Sequence, residues 1–139
     1  MTALQTIQSE NQNKTRTNLL DSREFRTFPH GGCREDEVRE ICEGMQDILS
    51  ACFSMPGKEI RSQERCRNEV SRVRQIGMYV THVVVGLTML EVGRGFQRDR
   101  STVAHACHVI EDLRDDPAFE RVIHMVEKLA EIAFLRNER

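Results

Sequence analysis

Between Leu87 and Val109 two short apolar periods are separated by the polar run Gln97-Arg98-Asp99, a spacing that requires a sharp turn between two helices. Thr88 followed three residues later by Glu91 forms a T-x-x-E capping box, in which hydroxyl and carboxylate each take up an amide left open by the first helical turn. The first helix is therefore expected to begin at Met89, with Met89, Leu90, Val92 and Phe96 on its buried face. Gly93 costs this helix roughly 1 kcal/mol in propensity, which predicts that another helix approaches closely there. Asp99 can offer its carboxylate to the free amides of the second helix.

That second helix divides into two faces. Val103, Ala106, Cys107, Ile110 and Leu113 recur at the spacing of a core-facing stripe, while Arg100, Ser101, Ala104, His105 and His108 fall opposite. The outer set holds a guanidinium, a small hydroxyl, a methyl and two imidazoles, with no carboxylate and no long apolar group. Such a surface suits the major groove, where arginine reads guanine acceptors and small groups meet the thymine methyl. Paired helices with a short turn also occur in bundles without DNA affinity, so the residue types carry the functional reading more than the geometry does.

The order of residue types over positions 72 to 113 resembles the C-terminal DNA-binding domain of the bacterial replication initiator DnaA. The likeness runs through Arg74-Gln75, the apolar stretch to Val85, Leu90-Glu91-Val92-Gly93, Phe96, Arg98-Asp99-Arg100-Ser101-Thr102-Val103, His105-Ala106-Cys107 and Ile110-Glu111. It implies an all-α fold, a small helical bundle containing a helix-turn-helix of the Trp-repressor-like kind, with double-stranded DNA as partner. It also implies base-reading roles for Asp99, Arg100, Ser101 and Thr102. Arg74, Gln75 and His105 match family positions near the DNA backbone. Arg65, Arg67, Arg72, His82, Arg98 and His108 are further candidates for the backbone or minor groove. Arg65 and Arg67 flank the family's minor-groove arginine position, which a gapless alignment gives to Cys66.

Two departures bear on the target. Only Gln97 stands between Phe96 and Arg98, so the turn is one residue shorter than the family's and has the spacing of ordinary repressor-type units. Arg100 stands where the family has histidine, and its forked, permanently charged head favours guanine. The implied function is sequence-specific binding at DnaA-box-like sites, regulating transcription or replication initiation. The alternative is a helical protein-interaction module that has lost DNA binding.

The rest of the chain fits this frame. Residues 1–32 are polar, lack a sustained apolar period and read as a flexible tail, leaving 33–139 for the helix-turn-helix domain. Glu35 to Phe53 should form an amphipathic helix, ended by Pro56-Gly57, with a short turn of helix from Lys58 to Arg61. A further helix is expected from Asn68 or Val70 to Val85, with Val73, Ile76, Gly77, Val80 and Val84 inward and Gly86 as a left-handed cap. Asp116-Pro117 opens a last helix whose stripe comprises Phe119, Val122, Ile123, Val126, Leu129, Ala130, Ala133 and Phe134. Most of that stripe should close the core, and part of it suits a homodimer contact.

The formal charge of −2 says little, but arginines 61, 65, 67, 72 and 74 outnumber the acids around them, whereas Glu111 to Glu131 is mainly acidic. A basic middle and an acidic end give an oriented field. No apolar run has signal-peptide or membrane-span length, so a cytoplasmic, nucleoid-associated protein is expected. Five cysteines include no C-x-x-C pair, and no carboxylate or thiol completes a metal site with His105 and His108. Cys66, between arginines, is the thiol whose setting suits a redox role. With no G-x-S-x-G and no Walker-type phosphate loop, neither an enzyme nor a nucleotide site is expected, and no cofactor or metal.

Overall fold

The structure is a computed structural model that describes residues 35–63 and 68–135. The expected tail, Arg65, Cys66 and Arg67 lie outside the described residues. Within them the chain is helical, with no strand.

Helix α1, Glu35–Phe53, opens on Glu35, Asp36 and Glu37, whose charges suit the positive end of the helix dipole. It buries Val38, Cys42, Met45 and Leu49 at four-three-four spacing. Pro56 then precedes the short α2, Gly57–Arg61, which sinks Ile60 into the core and returns Arg61 to Asp47 of α1 at 2.7 Å.

Helix α3, Asn68–Val80, is the central element, with every residue from Ile76 to Thr81 buried. It continues through a π-helical turn, Thr81–Val85, before Gly86 stops it at φ 90°. Inside that turn the Thr81 hydroxyl donates to the Gly77 carbonyl at 2.7 Å, a back-bond that loosens the regular ladder. The wider turn rotates the residues beyond it, so Val85 is the fully buried valine and Val84 is only partly covered, contrary to the sequence expectation.

Helix α4, Met89–Phe96, begins with both halves of the capping box formed: Glu91 N–H donates to Thr88 Oγ1 at 3.1 Å, and Thr88 N–H to the Glu91 carboxylate at 3.0 Å. Helix α5, Arg100–Leu113, packs chiefly along α3. Helix α6, Pro117–Leu135, starts at Asp116, whose carboxylate accepts from Ala118 N–H at 3.1 Å. Its broad stripe splits: Ile123, Val126 and Ala130 are buried, while Ala133 and Leu129 face outward with Met125 and Ile132. A helix can press only one sector against its neighbours, and the expected stripe was wider than that sector. No helix among the described residues is long and apolar enough to cross a membrane.

Candidate nucleic-acid interface

The turn ahead of α5 joins two backbone states. Gln97 closes α4 in the left-handed region (φ 56°, ψ 48°), and Asp99 is extended (φ −68°, ψ 151°). A left-handed residue other than glycine costs roughly 1–2 kcal/mol. Hydrogen bonds from Gln97 N–H to Arg94 O (3.3 Å) and from Arg98 N–H to Gly93 O (2.8 Å) help to offset it. This turn, and not a neighbouring helix, is what requires Gly93, because a Cβ there would lie 2.6 Å from the Arg98 carbonyl oxygen. The close helix approach occurs at Gly95 instead, where α1 brings Cys42 against the backbone. Asp99 takes the N-cap position without a side-chain capping bond, a second correction. Its carbonyl accepts from Thr102 (3.0 Å) and Val103 (3.2 Å), and its carboxylate is left on the surface.

Beyond the turn, α5 presents Arg100, Ser101, Thr102, His105 and His108, all exposed. Its opposite face is shut into the core, with Val103, Ala106 and Ile110 each at 0% exposure. At the start of the helix, Arg98, Asp99, Arg100 and Thr102 share an open groove with Leu90, Gly93, Arg94 and Gln97. Leu90, expected in the core, is 50% exposed on the rim of that groove. The signal was present: Arg94 and Gln97 follow Leu90 by four and seven residues, so they share its face and are polar. Arg94 is the cation that reading missed.

The remaining candidates divide by environment. Arg74 is 6% exposed and inside the fold, with Nε donating to Ile60 O (2.8 Å) and Nη2 to Glu59 O (3.2 Å) and Ser62 O (3.0 Å). Those are carbonyls at the end of α2, where a cation is favoured, so Arg74 holds α2 on α3 and is not a surface contact for DNA. Arg72 and Gln75 are half-buried and joined by a 3.1 Å hydrogen bond. Arg98 reaches Ser62 O at 2.7 Å and Gln97 Oε1 accepts from Gln63 at 2.6 Å, which fastens the turn to the chain ahead of α3. His82 lies ten residues along α3 from Arg72, about 15 Å along the axis at 1.5 Å per residue, with Nδ1 set to donate to Leu87 O at 2.8 Å. It braces the loop before α4 and does not line the groove.

The acidic end is also redrawn. Glu111, Glu120 and Glu127 turn toward Tyr79 and Arg114, Asp112, Asp115 and Asp116 stay exposed as expected, and the exposed groups of α6 include Arg121, His124 and Lys128. Cys42 is wholly enclosed, and burial, with Glu91 and Glu43 behind it, pushes its thiol up to about 12. Burial and then Glu111 push Cys107 up to about 11, so neither is a thiolate near neutral pH. Among the described residues no group of three or more His, Cys, Asp or Glu side chains is arranged to hold a metal ion.

A buried α3, a capped α4, a tight turn and a half-exposed α5 define a helix-turn-helix domain. Residues 42–110 match the family described as the bacterial DnaA protein helix-turn-helix, and the domain they form is similar to it. Chromosomal replication initiator proteins DnaA are its relatives. That of Lachnoclostridium phytofermentans is 34% identical over 84 residues, 59% of this chain and 18% of the relative. That of Desulfotalea psychrophila is 35% identical over 58% of this chain and 16% of its own, and that of Acinetobacter baumannii 38% over 56% and 17%. The chain thus spans less than a fifth of the relatives it matches. A solved structure described as the crystal structure of a DNA replication initiation factor superposes with a TM-score of 0.65 at 24% identity, over 73% of this chain and 31% of that one, a likeness of fold.

Proposed function

We propose that this domain binds double-stranded DNA in a sequence-specific manner at DnaA-box-like sites, and thereby takes part in replication initiation or transcriptional control. The observation that carries the reading is the division of α5: Arg100, Ser101, Thr102, His105 and His108 are exposed on one face of a helix whose other face is closed into the core. Its N-terminal end would enter the major groove, with Asp99, Arg100, Ser101 and Thr102 toward base edges. Arg98, His105, His108, Arg94 and Arg72 would meet phosphates, and Arg65 and Arg67 join them by sequence alone. Arg100 moves the preferred site toward one that contains guanine.

Selection of bound sequences from a random duplex library at physiological salt tests the proposal. Enrichment of a DnaA-like or G-containing box supports it, and no retarded duplex even at low salt overturns it in favour of a protein-interaction module. Affinity for the selected site should fall as salt rises, because phosphate contacts release counterions. Arg100→Ala is expected to weaken that site by about 1–3 kcal/mol and to relax choice at one base position. An unchanged footprint and unchanged base preference would remove Arg100 from readout.

A further inference from the structure

Three helices meet at one buried phenol. Tyr79 of α3 is 0% exposed, and its hydroxyl donates to Glu111 Oε1 of α5 at 2.6 Å. Arg114, the residue that ends α5, donates from Nη1 to the Tyr79 hydroxyl oxygen at 2.9 Å, with its guanidinium carbon 5.8 Å from the Tyr79 ring centre. The arginine is itself gripped by α6: Nε and Nη2 take both oxygens of Glu120 at 2.5 and 2.7 Å, and Nη2 also reaches Glu127 at 2.8 Å. Burial, reinforced by the Glu111 bond, pushes the Tyr79 phenol well above its ordinary value, so it remains a donor.

This cluster lies on the flank of α5 at the edge of its outward face, since Glu111 follows His108 by three residues and is only partly exposed. The core side of α5 is filled by Val103, Ala106 and Ile110, and apolar contacts of that kind have no direction and permit a helix to roll. A hydrogen bond on the flank does not. Side-chain atoms about 5 Å from the helix axis move about 1 Å for a roll of about 10°, which breaks a short hydrogen bond. The same roll carries the base-reading groups out of register, because a recognition site has to be held within about 0.5 Å. At the other end, the turn before α5 is fastened by Arg98 to Ser62 O and by Gln97 to Gln63, so the Tyr79 cluster holds the end of the helix remote from it.

We infer that Tyr79, bound between Glu111 and Arg114, is a positioning residue for base readout: it fixes the roll of α5 and through it the aim of Arg100, Ser101 and Thr102. The inference rests on the DNA-binding reading above. Tyr79→Phe keeps the ring and removes the hydroxyl, and it is compared with wild type on the selected duplex and on a scrambled duplex, at a temperature where circular dichroism shows both proteins fully folded. The ratio of the two affinities should fall about tenfold in the variant, comparable to one mismatched base pair. Affinity for the scrambled duplex and the salt slope should not change, because phosphate contacts need no fixed roll. Glu111→Gln, which keeps an acceptor, should stay near wild type, whereas Glu111→Ala should behave as Tyr79→Phe.

A role confined to stability would lower the melting temperature and leave the ratio of affinities intact, and that result overturns the inference. Equal losses on both duplexes overturn it too. Wild type that prefers no duplex defeats the DNA-binding reading and the inference with it, whereas Tyr79→Phe matching a discriminating wild type defeats the inference alone.

Discussion

Replacing Arg114 with alanine is expected to lower the unfolding free energy by about 3 kcal/mol, measured as a fall in the urea midpoint at unchanged slope. The guanidinium side chain is 6% exposed and serves Glu120, Glu127 and the Tyr79 hydroxyl at once. Its loss removes the cation that these two partly buried carboxylates share. The Glu120 and Glu127 side chains are 37% and 21% exposed, so water can reach them, which holds the effect to the lower end of the usual range of about 3–5 kcal/mol for breaking a buried pair. A cost under about 1 kcal/mol would show that the cluster behaves as a surface ion pair.

Gly95→Ala should also destabilise, by about 1–3 kcal/mol as overpacking does. In an isolated helix the same change is favourable by up to about 1 kcal/mol, so the expected sign is opposite to that from sequence. The added Cβ would stand 2.7 Å from the Cys42 Cβ and closer still to its sulfur, and Cys42 is itself wholly buried. Helices α1 and α4 would have to separate. Chemical denaturation of Gly95→Ala, Cys42→Ala and the double variant measures this as a coupling. The double variant should recover part of the loss, since removing the sulfur relieves the worse of the two contacts. Purely additive effects would rule out the contact as the cause.

Much of the architecture was legible beforehand because its signals are local. The Thr88 and Glu91 box fixed the start of α4, Asp116-Pro117 the start of α6, and Gly86 the end of the π-helical turn, each through groups only a few residues apart. The two faces of α5 were likewise readable, since a regular helix sets which positions share a side. Illegible were the residues whose role depends on a distant neighbour. Arg74 looked like one more cation of a basic stretch until α2 placed three carbonyls around it. Glu120 and Glu127 looked like part of an acidic end until Arg114 gathered them.

Sequence by itself therefore determined the starts of α4 and α6, the stop at Gly86, the short turn before α5 and the outward set at that helix's start. Tertiary structure alone decided that Gly95 and not Gly93 admits another helix, that Arg74 faces inward, and that a tyrosine hydroxyl joins α3 to α5. The physical reason is that periodicity gives a residue's angle about its own helix axis, whereas its energy depends on what the fold places opposite that angle.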